Sequence, residues 1–243
     1  MRLTRVNVEE PLASGKHCLV TGSAANHMVR VLRLGVGAEI TLFDGAGGEY
    51  GARIESLRKD AVRVEVGAHA AIERESPLDV TLAQGVSRGE RMDWVIQKAT
   101  ELGVRRIVPL ITERSVVRLD AHQAPKKLQH WRGIAIAACE QCGRNRLPEL
   151  AAPVDFLEFL GSEAPADAMR LVLSPAGSLR IGAIKAPQKI ILLIGPEGGL
   201  APQEAEAAID RGFTAVSLGP RILRTETAAI AALAALQQQF GDL

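Results

Sequence analysis

Two apolar runs, each stopped by Gly-Pro, constrain this chain more than anything else in it. Lys189–Ile194 (KIILLI) ends in Gly195-Pro196-Glu197-Gly198-Gly199, and Ala215–Leu218 ends in Gly219-Pro220. Short runs dominated by apolar residues read as buried strands, the habit of parallel sheets, and Gly-Pro reads as a tight exit turn. Two such exits close together in sequence belong to the carboxyl edge of one sheet, where open α/β proteins bind ligands.

The chain before these runs supports that frame. Asp79–Gln84, Ile107–Ile111 and Leu171–Leu173 are further strand candidates, and Arg91–Leu102, Lys126–Gly143 and Glu226–Phe240 carry helical apolar spacing. Strand and helix alternate, which gives an α/β parallel sheet. Residues 1–72 differ: Glu39–Phe43, Arg53–Leu57 and Ala61–Val66 read as strands of a small β-barrel, with Asp44-Gly45 and Gly47-Gly48 as tight connections. A polar stretch ending in Pro77 separates the two, so the chain divides into domains 1–72 and 73–243. The last helix is alanine-rich and apolar nearly all round. It is therefore buried on more than one side, against the sheet and either a second subunit or its own chain.

Composition narrows the function. Aromatic residues are 3% of the 243, so the cores must be built from Leu, Ile, Val and Ala. No apolar stretch reaches the length needed to span a bilayer, the N-terminal MRLTRVNVEE has no signal-peptide core, and the three cysteines are an odd number. These features predict a cytoplasmic protein without membrane attachment. Net charge is +1, but the excess of Lys and Arg falls in the middle third. That excess suits either phosphate contact or a solvated helix face.

Several chemistries are disfavoured. There is no Gly-rich dinucleotide fingerprint, no phosphate-binding loop ending in Gly-Lys-Ser/Thr and no Gly-x-Ser-x-Gly elbow. Cys139 and Cys142 lie in a helical pattern without a second pair, so no metal is expected. The glycines at 195, 198 and 199 instead let bare backbone lie against a flat ligand. Gly219–Ala228 (GPRILRTETA) adds Arg221, Arg224, Glu226 and two threonines at a helix start, with Thr225 as its cap and Ile222 and Leu223 apolar among them. That mix fits a purine-like ring beside arranged charges. In the N-terminal domain, His27, Arg30 and Arg33 decorate a short helix with Val29 and Leu32 inward. This is an RNA platform or a solvated cap on the barrel.

GPEGGL at 195–200, LGPRILRTETA at 218–228, QKATELGV at 97–104, EQCGR at 140–144 and HMVRVLR at 27–33 are collinear. Together they resemble the RsmE-type 16S ribosomal RNA uridine N3-methyltransferases of the SPOUT superfamily. The resemblance implies a PUA-like β-barrel, then an α/β domain with a deep trefoil knot, in a homodimer that acts on the small ribosomal subunit. It implies S-adenosyl-L-methionine held by Leu173, Ser174, Ile194, Gly195, Pro196, Gly198, Gly199, Leu218, Gly219, Ile222, Leu223 and Thr225. Arg224 then stabilises charge on the uracil, Glu226 or Glu197 takes the proton, and His27, Arg30, Arg33, Arg144 and Asn145 contact RNA. Ala201, where the family often has Ser, is expected to soften the following helix start. The residues alone leave two other classes open: a non-catalytic RNA-binding or ribosome-assembly protein, and an enzyme binding a phosphorylated nucleotide at Gly195–Gly199.

Overall fold

The computed structural model describes residues 4–58, 60–117, 119–120, 122–163 and 165–243. By its contacts the chain forms two units, Met1–Glu75 with Cys139–Leu147, and Ser76–Ala138 with Pro148–Leu243.

In the first unit, β1 (Thr4–Asn7), β2 (His17–Thr21), β3 (Glu39–Phe43), β4 (Glu49–Arg58) and β5 (Ala61–Ala70) form one sheet in the order β1-β3-β4-β5-β2. The β1–β3 pair is parallel and the others antiparallel. Register shifts between β4 and β5 at Tyr50/Ala52 and Ile54/Ser56 bend the two long strands. The bend lets Val6, Ile40, Leu42, Ile54, Val62 and Val64 share one core. Helix α1 (Gly22–Asn26) runs into a π turn over His27–Val31. Its Leu32 N–H donates to His27 O at 2.9 Å, five residues back. The wider turn rotates the faces. Met28 is the buried residue, Val29 packs partly against the core, and Leu32 is exposed rather than inward.

The second unit carries β6 (Asp79–Gly85), α2 (Glu90–Glu101), β7 (Arg106–Ile111), α3 (Gln123–Cys142), β8 (Glu149–Leu150), β9 (Val154–Asp155), α4 (Phe156–Gly161), β10 (Met169–Leu173), β11 (Leu179–Arg180), β12 (Lys189–Ile194), α5 (Pro202–Asp210), β13 (Thr214–Ser217) and α6 (Thr225–Phe240). The unit boundary cuts α3, whose last residues belong to the first unit. The sheet is parallel throughout, in the order β11-β13-β10-β12-β6-β7-β8, with β9 also on β7.

β12 explains the unbroken apolar run. Ile190, Leu192 and Ile194 face a cluster with α2 and α6 residues such as Val95, Ala229 and Leu233. Ile191 and Leu193 face the opposite cluster, with Phe156 of α4 and Ala208 of α5. A strand covered on both faces by helices has no polar side to present. Helix α6 buries Ala228, Ala229, Ala232, Leu233 and Leu236, leaving Ile230, Ala231 and Ala234 half-buried.

Candidate functional site in the parallel sheet

β10 lies between β13 and β12, and all three run the same way. The chain leaves β10, returns on one side as β12 and then on the other as β13. That makes β10 a topological switch point, with three exit loops on one edge. They line one cavity of about 610 Å³. Leu173 and Ser174 come from the first loop, and Ile194, Gly195, Pro196, Glu197, Gly198 and Gly199 from the second. Leu218, Gly219, Ile222, Leu223 and Thr225 come from the third. Arg114, from the loop after β7, Arg221 of the third loop, and Glu206 and Asp210 of α5 add charged groups to the wall. Every residue expected to bind cofactor therefore lies on this one cavity. Its apolar surface and bare glycine backbone suit a flat heteroaromatic ring, and its carboxylates suit a cationic ligand.

The loop after β12 is held by groups that sequence inspection passed over. Gln84, fully buried at the end of β6, donates through Nε2 to Gly85 O at 3.0 Å, Thr225 Oγ1 at 3.0 Å and Gly195 O at 3.3 Å. Thr225 Oγ1 donates in turn to Gly195 O at 2.7 Å. Thr225 is thus the first residue of α6 rather than its cap, and Arg224 occupies the cap position. Gly85 is required by contact: a Cβ there would lie 2.5 Å from Pro196 N and Cδ. On the rim, Arg91 Nη1 donates to Glu197 Oε1 at 2.8 Å, and that oxygen also accepts from Arg88 N at 2.8 Å. Arg91 Nε is 3.9 Å from Glu226 Oε1. Arg114 Nη1 donates to Gly198 O at 3.1 Å.

The candidate catalytic groups divide. Burial raises the Glu197 carboxyl, but hydrogen bonds from Arg88 N, its own amide and Arg91 outweigh it and hold the group below the usual range. An anion so well satisfied is a weak proton acceptor. Glu226 Oε2 is buried without a hydrogen-bond partner among the described residues. Arg224 is exposed, and its guanidinium makes no ion pair among the described residues. Neither Arg224 nor Glu226 lines the cavity, but both adjoin Thr225, which does.

Ala201 has no side-chain oxygen, yet the start of α5 is secured from the other direction. Buried Glu204 accepts from Ala201 N at 2.9 Å and from Glu113 N at 2.8 Å. The carboxylate supplies the reciprocal half of a capping box by holding the cap residue's N–H, whereas the first N–H groups of the helix, which a serine oxygen would accept, receive no side-chain cap.

In the first unit, His27, Arg30 and Arg33 are exposed, as an RNA contact requires. Arg144 and Asn145 are not. Arg144 is 3% exposed and donates to Glu75 through Nε at 3.0 Å and Nη2 at 2.6 Å. Asn145 donates to Ile72 O at 2.6 Å and accepts from Arg5. Arg5 also pairs with Glu49 and donates to Arg144 O. These residues knit Cys139–Leu147 into the first unit, so within this chain they face protein rather than solvent. Cys139 is buried in the same region, its thiol pushed up to about 12 by desolvation, as befits a structural cysteine. Among the described residues there is no cluster of three potential metal ligands and no helix long and apolar enough to cross a membrane.

Comparison with known proteins agrees with this geometry. Residues 74–237 match the RNA methyltransferase domain family, and residues 20–67 match the RNA methyltransferase PUA domain family. The chain is 35% identical over 245 residues to the ribosomal RNA small subunit methyltransferase E of Buchnera aphidicola subsp. Schizaphis graminum, covering 100% of this chain and 98% of that protein. It is 35% identical over 250 residues to the enzyme of the same name from Bacillus subtilis, covering 98% and 95%. Its fold is similar to that of a ribosomal RNA small subunit methyltransferase E from Neisseria gonorrhoeae bound to S-adenosyl methionine, with TM-score 0.92, 40% identity and full coverage of both chains. A protein from Legionella pneumophila solved with the bound cofactor SAM gives TM-score 0.95 and 42% identity, again with full coverage of both chains. By fold, by motif and by full-length similarity, the chain belongs to the ribosomal RNA small subunit methyltransferase E family, with its RNA methyltransferase and PUA-type domains.

Proposed function

We propose that this protein transfers the methyl group of S-adenosylmethionine to N3 of a uridine in 16S ribosomal RNA of the small subunit. One observation carries the reading: three parallel-strand exits converge on a single cavity walled by Gly195–Gly199 and Leu218–Thr225. The residues present fit the cofactor. Leu218, Ile222 and Leu223 offer apolar contact to adenine, the glycine loop offers backbone polar groups, and Glu206 and Asp210 suit a cationic amino acid sulfonium. When bound, the cofactor supplies a methyl on a positively charged sulfur, which needs no metal to leave.

The chain's own residues must deal with the uracil. N3 carries a proton in neutral water, so forming the N3–carbon bond requires that proton to leave while negative charge builds on the flanking carbonyl oxygens. Arg224 stabilises that charge, being cationic, uncommitted and beside the cavity. Glu226 takes the proton, and Arg91 orients it. Glu197 anchors the loop through Arg91 and Arg88 N instead of acting as the base. His27, Arg30 and Arg33 contribute phosphate contacts from the PUA-type unit.

The finer expectations are part of this proposal: a trefoil-knotted chain, a homodimer, and action in the cytoplasm. Exposed Trp94, Val116 and Ile222, with the half-buried face of α6, support a second subunit. Labelled S-adenosylmethionine and unmethylated small subunits test the activity. Label recovered as 3-methyluridine is expected. RNA binding with no transfer would favour the assembly-protein reading instead.

A further inference from the structure

Gln84 is the only fully buried polar side chain at the carboxyl edge of a strand that otherwise reads Val80, Leu82 and Ala83 inward. Its Nε2 shares its hydrogens among Gly85 O, Gly195 O and Thr225 Oγ1, while its Oε1 is buried without a partner among the described residues. The amide cannot be turned round, because Oε1 would then face two carbonyl oxygens. A buried amide with an orphan acceptor is a poor choice for stability, since an apolar side chain of the same size would avoid the desolvation cost. Its worth lies elsewhere. The three acceptors belong to β6, to the first residue of the glycine loop and to the first turn of α6, and two of those segments wall the cavity.

We infer that Gln84 is a positioning residue for cofactor binding: with Thr225 it fixes the Gly195 peptide, and so the whole Gly195–Gly199 backbone, in the orientation that receives the nucleoside. Gln84 does not line the cavity and acts through Gly195 and Thr225. This rests on the methyltransferase reading of the same site.

The test uses the full chain, with Gln84→Met as an apolar replacement of similar volume, Thr225→Val, the double variant, and Gln84→Glu. S-adenosylmethionine affinity is read by calorimetry, kcat and KM by methyl transfer, and Tm by thermal unfolding. Gln84→Met is expected to weaken S-adenosylmethionine about fivefold to tenfold, the worth of one net hydrogen bond. Its KM for RNA and its Tm should stay near wild type. The double variant should lose less than the two single variants combined, because both act on one carbonyl. Gln84→Glu should bind worse than Gln84→Met at pH 8, its carboxylate facing two carbonyls. It should recover as the pH falls and the group becomes able to donate, a profile the wild type lacks. A Gln84→Met protein that binds S-adenosylmethionine like wild type would overturn the assignment and leave the enzymatic reading intact. So would affinity that falls only in step with Tm, or a Gln84→Glu variant without the pH profile. Absence of binding by the wild type would overturn both.

Discussion

Alanine at each glycine of the 195–199 loop turns the account into a ranked prediction. A Cβ on Gly195 would lie 2.8 Å from Leu200 N, 2.9 Å from Gly199 C and 3.1 Å from Gly199 Cα. Ordinary contact is about 3.5–4.0 Å, so the intrusion is roughly 0.6–1 Å, and every atom met is backbone. The loop can relieve it only by opening. Overpacking of this kind costs about 1–3 kcal/mol. If the opened loop loses that much cofactor binding, affinity falls about fivefold to about 140-fold. Gly199 meets nothing within 4 Å but has φ +68, so alanine there pays about 1–2 kcal/mol of left-handed strain without a clash. Gly198 meets Arg114 Cβ at 3.2 Å and Cδ at 3.5 Å. Arg114 Cβ moves only with its backbone, but the shift needed is a few tenths of an ångström and Gly198 has no positive φ, so Gly198→Ala should be mildest. Calorimetric titration with S-adenosylmethionine gives the order directly. Wild-type affinity in Gly195→Ala, or a larger loss in Gly198→Ala, would refute the argument that the bare backbone at residue 195 shapes the cavity.

Other outcomes follow from the same structure. Arg224→Ala should keep cofactor affinity within a few-fold while kcat/KM falls by about 2–4 kcal/mol of transition-state stabilisation; equal activity would remove its assigned role. Arg144→Ala should unfold more easily by about 2–3 kcal/mol, because half-buried Glu75 loses its charge-assisted hydrogen bonds from a buried guanidinium. An RNA contact at residue 144 would instead lower the salt dependence of RNA binding and leave Tm alone. Glu197 is held below its usual 4.5, chiefly by hydrogen bonds that outweigh desolvation. Its stabilising contribution is therefore complete above the unfolded value and lost as pH falls through the lower folded one. Glu197→Gln should flatten the acid limb of the Tm profile in that window. Glu140 behaves oppositely: desolvation raises it, outweighing the bond from Asn7 N. Its protonated form favours folding, and that contribution is lost as pH rises through the folded value. Glu140→Gln, which keeps an acceptor for Asn7, should raise Tm at neutral pH.

Legibility from sequence followed the physics of each segment. β12 was readable because burial on both faces leaves a run without alternation, β13 through the short apolar segment around its one buried residue, Val216, and the Gly-Pro exits of both mark the edge. β1 and β2 were missed: Arg5 and Asn7 in β1 are buried by pairing rather than by apolar character, and in β2 exposed Leu19 between buried Cys18 and Val20 masks the alternation. Leu32 was misplaced because a single π turn shifts the helical period. The cavity wall was legible since its residues are consecutive in three loops. Gln84 and Arg91 were not, because their partners lie more than a hundred residues away. Only tertiary structure joins them. Arg144 and Asn145 misled for the complementary reason: side chains typical of RNA contact are equally suited to a buried network, and nothing local distinguishes the two.

A crystal structure with S-adenosylhomocysteine tests the central claim most directly. The account predicts the adenine against Leu218, Ile222 and Leu223, with main-chain hydrogen bonds from the 195–199 and 218–223 loops and the sulfur turned toward Arg224. Density for the nucleoside anywhere outside this cavity, or an empty cavity at saturating ligand, would contradict it.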